Sequence, residues 1–443
     1  MSVKTLLRDF RTYNYNIQLA LISGVFIFMG RGVVLGSVFS VFAKELGGSN
    51  QALGAVTTFS GLVMTITLFP TGFLTDKFPR RHFLRLGSVT AVLGFVALVM
   101  SNDLWWIFLA QGILGISRGF SQPSLESMIA DSVESRKRDK IYSQIFFLRQ
   151  TANAAGPALA VLLFLILGDS WGIETMRQVM MFGAVFTFLG AGLQFLMHDK
   201  HTLGDESESI KDFNEGNGMT SSTGQEVQKP NNFTDNWWFV PAALIILGFI
   251  IGFGAGMTVR FFPIFFKEIY DMPPSVVNGI FAVAMILTGG MSLVTPIMAR
   301  FIGKVETIFT VQTIAIVALI IIAFVPPFAI VIPIFILRNS FMNSSQPLQR
   351  SILMDRVPKS SRGKWNALQV LSFGFLWSMS AGIGGVLLDT FDFSTLYFFT
   401  AFLYVLGTAP LLFIRRYVKE RPDHLKVVTD LSNQPEAKLA KIN

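Results

Sequence analysis

Two stretches of the chain repeat each other and decide its fold. Residues 121–140 read SQPSLESMIADSVESRKRDK, and residues 345–364 read SQPLQRSILMDRVPKSSRGK. When the two stretches are aligned at a constant offset of 224 positions, several aligned residues are identical, for example Gln122 and Gln346. A polar helix end followed by a basic loop rarely recurs in such register by chance. The sequence therefore predicts two copies of one unit.

The composition predicts a protein that lies in a membrane. Of the 443 residues, 51% are apolar and only 14% are charged, whereas soluble domains carry about 25% charged residues. Apolar runs of about 20 residues recur, the length that crosses the roughly 30 Å hydrocarbon core as a helix. Backbone polar groups need internal partners in lipid, which favours a helical bundle. We therefore expect an all-α polytopic membrane protein.

The absence of cysteine and the positive net charge narrow the possible functions. Without cysteine, the chain has no disulfides, thiolate metal sites or cysteine nucleophiles, and we predict no metal centre and no cofactor. The net charge of +8 is explained by basic cytoplasmic loops, so we expect no nucleic-acid partner. The N-terminus has no short apolar segment with a cleavage site, so the first apolar run should remain as a membrane helix.

The apolar pattern predicts twelve membrane spans. Basic residues concentrate in the loops after spans 2, 4 and 10, whereas the short loops on the other side carry acidic residues. By the positive-inside rule, both termini then face the cytoplasm, and the plasma membrane is the expected location. The spans lie near residues 17–43, 52–74, 83–101, 105–131, 141–168, 178–197, 238–266, 275–299, 306–326, 329–354, 366–388 and 393–414.

The spans divide into two pseudo-symmetric halves of six. The repeat extends to spans 1 and 7, where Lys44-Glu45 matches Lys267-Glu268 at an offset of 223. Parallel halves related by an axis along the membrane normal are a transporter architecture. The predicted parts are an N-terminal half (1–197), a polar cytoplasmic linker (198–236), a C-terminal half (237–417) and a cytoplasmic tail (418–443).

The loop after span 2 resembles the signature loop of the major facilitator superfamily. Residues 72–81 read GFLTDKFPRR, where the family has G-x-L-a-D-r-x-G-r-r, and Pro79 replaces the second glycine. The repeat of six spans and the long central loop extend this likeness over nearly the whole chain. The resemblance implies alternating access, in which the two halves rock around a central site and carry a small solute.

The resemblance also implies a cytoplasmic latch. In the family, the loop Asp lies near the N-terminus of span 11, where the helix dipole favours an anion, and the loop Arg pairs with the acid that ends span 4. The alternative is that these charges only anchor loops among lipid headgroups. The implied latch residues are Gly72, Asp76, Arg80, Arg81, Asp131, Lys304, Asp355 and Arg362, with Arg80–Asp131 and Lys304–Asp355 as the two ion pairs.

Two signatures of drug/proton antiport in this family are only partly present. Gly156-Pro157 keeps the end of the antiporter motif on span 5, but alanines stand at other glycine positions. On span 4, Phe108 takes the position where such exporters tend to have an arginine. Both observations weaken an assignment to simple proton-coupled drug export.

Few ionisable residues lie at bilayer depth, and each costs at least about 2.5–3.5 kcal/mol to insert. Most of them fall on spans 1, 4, 7 and 10, which line the central cavity in the fold that the chain resembles. Arginine offers a fork that fits carboxylates and phosphates, so an electropositive pathway favours an anionic or zwitterionic small molecule. These residues are Arg31, Arg118, Glu126, Arg149, Arg260, Arg338 and Arg350.

The predicted substrate contacts combine these arginines with nearby amides. Arg118, Gln122 and Glu126 are spaced four residues apart and so share one helical face. For Arg260 and Arg338, contact with substrate and contact with backbone both stay open. The full set of predicted contacts is Arg31, Arg118, Gln122, Arg149, Asn343 and Gln346.

Glu126 and Arg350 are repeat equivalents of opposite sign. They are predicted to pair across the halves as an inner gate, with pairing inside each half as the alternative. Glu126 is also the candidate proton carrier, because it is the only obvious carboxylate at bilayer depth within the predicted spans. Burial would raise its pKa and a nearby arginine would lower it, and the sequence leaves the balance open. Proton coupling therefore stays open.

Secondary transport of a small solute is the predicted function. An enzyme is disfavoured because all four histidines lie in loops, tails or span ends and no metal or nucleophile constellation is found at bilayer level. The alternatives are a drug/proton antiporter for lipophilic cations and a non-transporting sensor or scaffold with a transporter fold. We expect a monomer in the lipid bilayer. The substrate, the coupling ion and the direction are left open.

Overall fold

Helices form all the secondary structure in the described part of the chain. The computed structural model describes residues 10, 12–75, 77–133, 138–203, 238–357 and 362–418. The first half contains α1 (Tyr15–Val34), α2 (Ser37–Glu45), α3 (Asn50–Leu74), α4 (Arg80–Val99), α5 (Leu104–Asp131), α6 (Arg138–Leu167) and α7 (Ile173–Phe195). A 3-10 turn (Asp199–His201) follows at the start of the predicted linker. The second half contains α8 (Phe239–Val259), α9 (Phe262–Tyr270), α10 (Pro274–Ile302), α11 (Lys304–Ala323), α12 (Phe328–Ser344), α13 (Gln346–Arg356), α14 (Arg362–Thr390), α15 (Phe393–Thr408) and α16 (Pro410–Ile414).

The prediction of an all-α membrane protein is confirmed. Ten helical stretches of the described residues are long and apolar enough to cross a membrane. Predicted spans 4 and 11 correspond to α5 and α14, which contain 28 and 29 residues but are not among these ten. The count of twelve therefore stays a prediction. The ten stretches are Tyr15–Glu45, Asn50–Leu74, Arg80–Val99, Phe147–Leu167, Ile173–Phe195, Phe239–Tyr270, Pro274–Ile302, Lys304–Ala323, Phe328–Leu353 and Phe393–Ile414.

Predicted spans 1, 7 and 10 are each built from two successive helices. Between α1 and α2, a Cβ on Gly36 would come within 2.7 Å of the Gly32 carbonyl oxygen, so this break requires a residue without a side chain. Pro263 and Pro347 occupy the first turns of α9 and α13, where a missing N–H costs little and the fixed φ favours a new helix. Local sequence therefore explains where these spans restart.

The helices group into two compact units that cut across the sequence halves. Unit 1 contains the first half together with α9, the start of α10 and the end of α14, whereas unit 2 contains most of the second half. Unit 1 is Met1–Asn232, Gly256–Val283 and Trp377–Phe393. Unit 2 is Phe233–Ala255, Ala284–Leu376 and Ser394–Asn443.

Small residues let the helices of unit 1 approach closely. An added Cβ on Gly156 of α6 would lie 2.6 Å from the Cα of Gly32 on α1. An added Cβ on Gly30 of α1 would lie 2.8 Å from the backbone nitrogen of Thr187 on α7. Close approach through glycine is a common way to pack membrane helices. Gly156 thus has a packing role that requires no antiport function.

The two ends of unit 1 contain different helix termini. The end with Arg80, Arg81 and the start of α1 is named the basic end. Asn16 of α1 donates its side-chain N–H to the backbone oxygen of His198 at 3.0 Å and accepts the His198 N–H at 3.2 Å, so the first residues of the predicted linker dock here. The other end, where α2 ends and α3 begins, is named the opposite end.

Unit 2 contains a buried polar cluster that ties its helices together. Arg338 of α12 is 2% exposed and donates to the hydroxyl of Tyr404 on α15 at 2.9 Å. Gln312 of α11 accepts a hydrogen bond from the hydroxyl of Thr408 at 3.2 Å and donates to the hydroxyl of Ser345 at 3.4 Å. Buried hydrogen bonds of this kind fix the arrangement of neighbouring helices.

Candidate functional site

A cavity of about 310 Å³ lies among the first-half helices of unit 1. Helices α1 and α3 to α7 form its walls, which combine apolar side chains with charged and amide groups. This volume lies at the lower end of the range for small-molecule sites. The polar residues that matter most below are Arg31, Arg118, Gln122, Glu126, Arg149 and Gln194.

Arg31 supplies a cation that no anion neutralises in the described part of the chain. It lies on the last turn of α1 and faces the cavity. Its guanidinium lies 5.9 Å from the centre of the Phe28 ring, and its side chain makes no hydrogen bond or ion pair with a described residue. A guanidinium held only by an aromatic ring keeps its donors free for a ligand.

Arg149 of α6 shares the same aromatic ring but has a charged neighbour. Its guanidinium lies 5.4 Å from the Phe28 ring centre. It also interacts electrostatically with the Glu126 carboxylate, and both side chains line the cavity. The positive charge of Arg149 is therefore at least partly offset, whereas that of Arg31 is not.

Arg118 of α5 is fixed by uncharged partners. Its Nη2 donates to the Ser60 hydroxyl at 2.7 Å, and its Nε donates to the Leu114 carbonyl oxygen at 3.4 Å. Ser60 in turn donates to the Gln111 carbonyl oxygen at 2.7 Å. These contacts hold the side chain in place without neutralising it. Arg118 therefore adds a second uncompensated cation to the cavity.

The structure brings together four of the six predicted substrate contacts. Arg31, Arg118, Gln122 and Arg149 all line the cavity of unit 1, and Glu126 joins them. The spacing of four residues on α5 had predicted the shared face of Arg118, Gln122 and Glu126. Their role as substrate ligands stays a prediction.

Asn343, Gln346 and Arg350 lie in unit 2. Asn343 donates to the Asn339 backbone oxygen at 2.9 Å, and Gln346 donates to the Asn343 side-chain oxygen at 3.4 Å. Arg350 is exposed on α13. Whether these residues take part in a common site, and whether Arg350 pairs with Glu126, stays a prediction.

Gln194 of α7 was not predicted as a site residue, although it lines the cavity. A signal for it exists in the sequence, because this carboxamide interrupts the otherwise apolar stretch GAGLQFLM. The prediction started from helices that carry ionisable residues and added amides only on those helices, so it passed over α7, which has no charged residue in its middle. Ser121 and Thr187 line the cavity as well.

Arg260 contacts backbone and aromatic rings in unit 1. Its Nη1 donates to the Leu35 carbonyl oxygen at 2.9 Å, in the break between α1 and α2. Its guanidinium lies 5.5 Å from the ring centres of both Phe39 and Trp377. Arg260 thereby satisfies a carbonyl that the helix break leaves open. This geometry favours a structural role over substrate contact.

An ion pair at the basic end joins Arg80 and Asp131. The carboxylate of Asp199 accepts the backbone N–H groups of Arg80 and Arg81 at 3.1 and 3.3 Å. An anion at the first turn of a helix satisfies orphan N–H donors and is favoured by the helix dipole. Asp199, in the predicted linker, therefore caps α4.

His198 adds a titratable group to this cluster. The Arg81 guanidinium contacts its Nε2, and the Lys200 N–H points at its Nδ1 at 3.1 Å. Partial burial, together with the neighbouring Arg81 and Lys200 cations, lowers the pKa of His198. The lowered pKa favours the neutral imidazole, whose single unprotonated nitrogen can accept from one of these two donors.

Several implied latch residues fall outside the described part of the chain. Asp76 is among them, as are the side chains of Asp355 and Arg362, so the Lys304–Asp355 pair has no described geometry. Gly72 lies within α3. The latch function stays a prediction.

Two ion pairs at the opposite end join the repeated Lys-Glu dipeptides. Lys44 pairs with Glu268, and Lys267 pairs with Glu45. Each residue of one copy thus contacts the other residue of the second copy, as at an interface with two-fold symmetry. The sequence had shown that these dipeptides correspond but not that they meet.

Two exchanged helix caps accompany these ion pairs. The Asp389 carboxylate, at the end of α14, accepts the N–H groups of Asn50 and Gln51 at 3.1 and 2.8 Å. The Asp169 carboxylate, after α6, accepts the N–H and hydroxyl of Ser275 at 2.8 and 2.6 Å. Each carboxylate therefore caps a helix of the other sequence half. Together the four contacts join both halves at the opposite end of unit 1.

The family of the chain is shown by comparison with known proteins. The family model of the Major Facilitator Superfamily matches residues 20–360, which is more than half of the chain. The chain belongs to the major facilitator superfamily. The resemblance predicted from the signature loop is thereby confirmed, and this membership is consistent with secondary transport.

Two curated relatives belong to the same superfamily. The chain is 22% identical over 143 residues to the uncharacterized MFS-type transporter YdeE of Escherichia coli (strain K12), a match that covers 32% of this chain and 36% of that protein. It is 22% identical over 151 residues to the uncharacterized MFS-type transporter YqjV of Bacillus subtilis (strain 168), with 31% and 36% covered. These matches span about a third of each relative's length.

Solved structures of superfamily transporters share the fold over nearly the whole chain. The nucleoside transporter NupG aligns with a TM-score of 0.68 at 11% identity, covering 90% of this chain and 99% of that one. A bacterial homolog of the human lysosomal transporter Spinster aligns with a TM-score of 0.67 at 13% identity, covering 92% and 98%. A POT family transporter in complex with 5-aminolevulinic acid aligns with a TM-score of 0.68 at 12% identity, covering 92% and 96%.

Proposed function

We propose that this protein is a secondary transporter that moves a small organic anion or zwitterion by alternating access. The observation that carries the proposal is Arg31, whose guanidinium faces the cavity of unit 1 with no anionic partner among the described residues. Arg118 lies in the same cavity on uncharged partners. Such charges are costly at membrane depth, so a ligand that neutralises them is expected.

The composition of the cavity supports an organic rather than an inorganic anion. Three arginines face one carboxylate, so the charge of the site is positive. Ile27, Met64, Phe95, Leu114 and Leu125 add apolar walls. A ligand with a carboxylate or phosphate group and a carbon skeleton would satisfy both parts of this surface.

Alternating access is supported by the contacts at the opposite end of unit 1. The Lys44–Glu268 and Lys267–Glu45 pairs are partly solvent-exposed, and such pairs contribute at most about 1 kcal/mol each. Contacts of this strength can close an end and still be broken during a transport cycle. We propose that the basic end faces the cytoplasm and that Arg80–Asp131 acts as the latch on that side.

Glu126 is the proposed coupling residue. It lines the cavity and interacts with Arg149, so protonation of the carboxylate would change the charge that the substrate meets. We propose that Glu126 also pairs with Arg350 when the basic end closes. If transport is coupled to protons through this carboxylate, the transport rate of the Glu126→Gln variant should no longer depend on the proton gradient.

The experiment that tests the proposal is thermal unfolding of the purified protein with panels of organic anions, zwitterions and lipophilic cations. A ligand that binds only the native state raises the unfolding temperature. At a ligand concentration of about a hundred times Kd, the free energy of unfolding increases by about 2.7 kcal/mol. We expect stabilisation by anions or zwitterions and its loss in Arg31→Gln. Arg177→Gln is the matched control, because Arg177 donates to the Ser101 backbone oxygen at 2.9 Å and lies outside the cavity.

Two outcomes would overturn the proposal. Stabilisation by lipophilic cations that depends on Glu126 but not on Arg31 would instead support drug export. If no compound in the panels stabilises the protein and no flux is measured in proteoliposomes, the result would support a non-transporting sensor or scaffold.

A further inference from the structure

We propose that Gln194 is a specificity-determining residue that binds a neutral hydrogen-bonding group of the substrate. The substrate would then be an elongated organic anion with an amide or hydroxyl group roughly 10 Å from its charge, a span set by helical rise. This inference rests on the proposed transport of an organic anion and adds a second point of recognition to it.

Gln194 is buried without a partner. Its side chain is 6% exposed and lines the cavity. Among the described residues it makes no side-chain hydrogen bond, although a carboxamide offers two donors and one acceptor oxygen. Buried polar groups are almost always satisfied. A cavity-facing amide without a protein partner is therefore expected to bond to whatever fills the cavity.

The packing of α7 against α1 sets the distance between Gln194 and Arg31. An added Cβ on Gly190 would lie 2.9 Å from the Ser23 carbonyl oxygen and 3.0 Å from the Ile27 nitrogen. Gln194 follows Gly190 by one turn toward the basic end, at about the level of Ser23. Arg31 lies eight residues beyond Ser23 on α1, which is roughly 12 Å at 1.5 Å per residue. Because both side chains reach into the cavity, their polar ends are closer than this.

The wall beside Gln194 is apolar. Ile27, Leu125 and Ala191 lie near its level, and Phe95 lies further from the basic end. A chain of methylene groups or a ring would fit this surface, and the neutral amide of Gln194 suits an amide or hydroxyl better than a second charge. Glu126 and Arg149, the charged groups in this part of the cavity, already interact with each other.

The inference is tested with two series of straight-chain carboxylates of increasing length. One series ends in a primary amide and the other in a methyl group. Isothermal titration calorimetry of the purified full-length protein gives the Kd of each compound. We expect the amide series to bind roughly tenfold more tightly near the matching length, because a site built to hydrogen-bond a group rejects analogues that lack it.

Variants at Gln194 separate recognition from a structural role. Gln194→Leu should abolish the preference for the amide while the methyl series binds as before. Gln194→Asn retracts the amide by one methylene, so the preferred compound should become one methylene longer, a change that a structural role would not produce. Gln144→Leu is the control, because Gln144 is buried, accepts from the Tyr13 hydroxyl at 2.7 Å and lies outside the cavity.

The outcomes distinguish this inference from the proposed function. Tight binding of both series without preference for the amide would overturn the role of Gln194 and leave anion transport intact. A preference that persists in Gln194→Leu would overturn it as well. Absence of binding by either series, together with absence of stabilisation by any organic anion or zwitterion in the unfolding panels, would overturn the proposed substrate class itself.

Discussion

Replacing Asp389 by alanine should raise the rate at which the opposite end of unit 1 opens by about fivefold, since removal of an exposed helix cap costs about 1 kcal/mol. Asp389 accepts three hydrogen bonds, from the Asn50 N–H at 3.1 Å, the Asn50 side-chain amide at 2.8 Å and the Gln51 N–H at 2.8 Å. All three cross from one sequence half to the other, so the loss falls on the closed state alone.

Removal of both exchanged caps gives a larger and more diagnostic effect. Asp169 and Asp389 share no partner, so their contributions should add. About 2 kcal/mol for the double variant corresponds to a roughly thirtyfold rise in the open population, because each 1.4 kcal/mol is a factor of about ten.

The assay uses the absence of native cysteine. Ser37→Cys introduces a single thiol in place of a residue that is 5% exposed and whose hydroxyl donates to the Asn278 side-chain oxygen at 2.6 Å. This position lies near the start of α2 and therefore beneath the exchanged contacts at the helix end. The rate of labelling by a charged maleimide then reports opening of the opposite end.

Asp103→Ala is the matched control for this experiment. Asp103 accepts the Trp106 N–H at 2.9 Å and so caps α5 within its own half. This variant should lower the unfolding temperature without changing the labelling rate. Equal labelling rates in the double variant, the control and the parent would refute the reasoning that the exchanged caps hold this end closed.

Further predictions concern the ion pairs, the basic end and helix packing. Lys44→Glu should raise the same labelling rate severalfold by placing two carboxylates together, and Glu268→Lys in the same chain should reverse the effect. Partial burial and neighbouring cations lower the pKa of His198, so its contribution to stability is present above the ordinary value of about 6.5 and is lost as the pH falls below it. The unfolding temperature of the parent should drop over that range, and His198→Gln should remove this part of the pH dependence. Gly156→Ala should lower the free energy of unfolding by about 1–3 kcal/mol through overpacking, measured in denaturant, whereas Gly192→Ala, which meets open space, should have little effect.

The sequence predicted several of the residues that line the cavity, because charge at bilayer depth has few explanations. Arg31, Arg118 and Arg149 could be picked out one by one, since each must face a polar space or a partner. The same logic missed Gln194, because a neutral amide costs less to bury and is common in packed helices. Its importance follows only from the lack of a partner, which is a property of the folded chain.

The contacts at the two ends of unit 1 were also only partly predictable from the sequence. The repeat showed that Lys44 corresponds to Lys267, but a sequence offset does not tell where the symmetry axis passes. Residues near the axis meet their counterparts, and residues far from it do not. Asp199 was assigned to a linker because the segment around it is polar. Its role as a helix cap could not be predicted, because that role depends on α4 lying next to it in the folded chain.

The exchanged contacts at the opposite end have a consequence for how this protein can change. In a symmetric dimer, one substitution alters both copies of a contact at once. In a fused chain, Asp169 and Asp389 are encoded separately, so either cap can be weakened while the other is kept. The closing free energy is thus adjustable in single steps of about 1 kcal/mol. Under the alternating access proposed above, small mutational steps could therefore make exchange faster or slower, without passing through a form that cannot close.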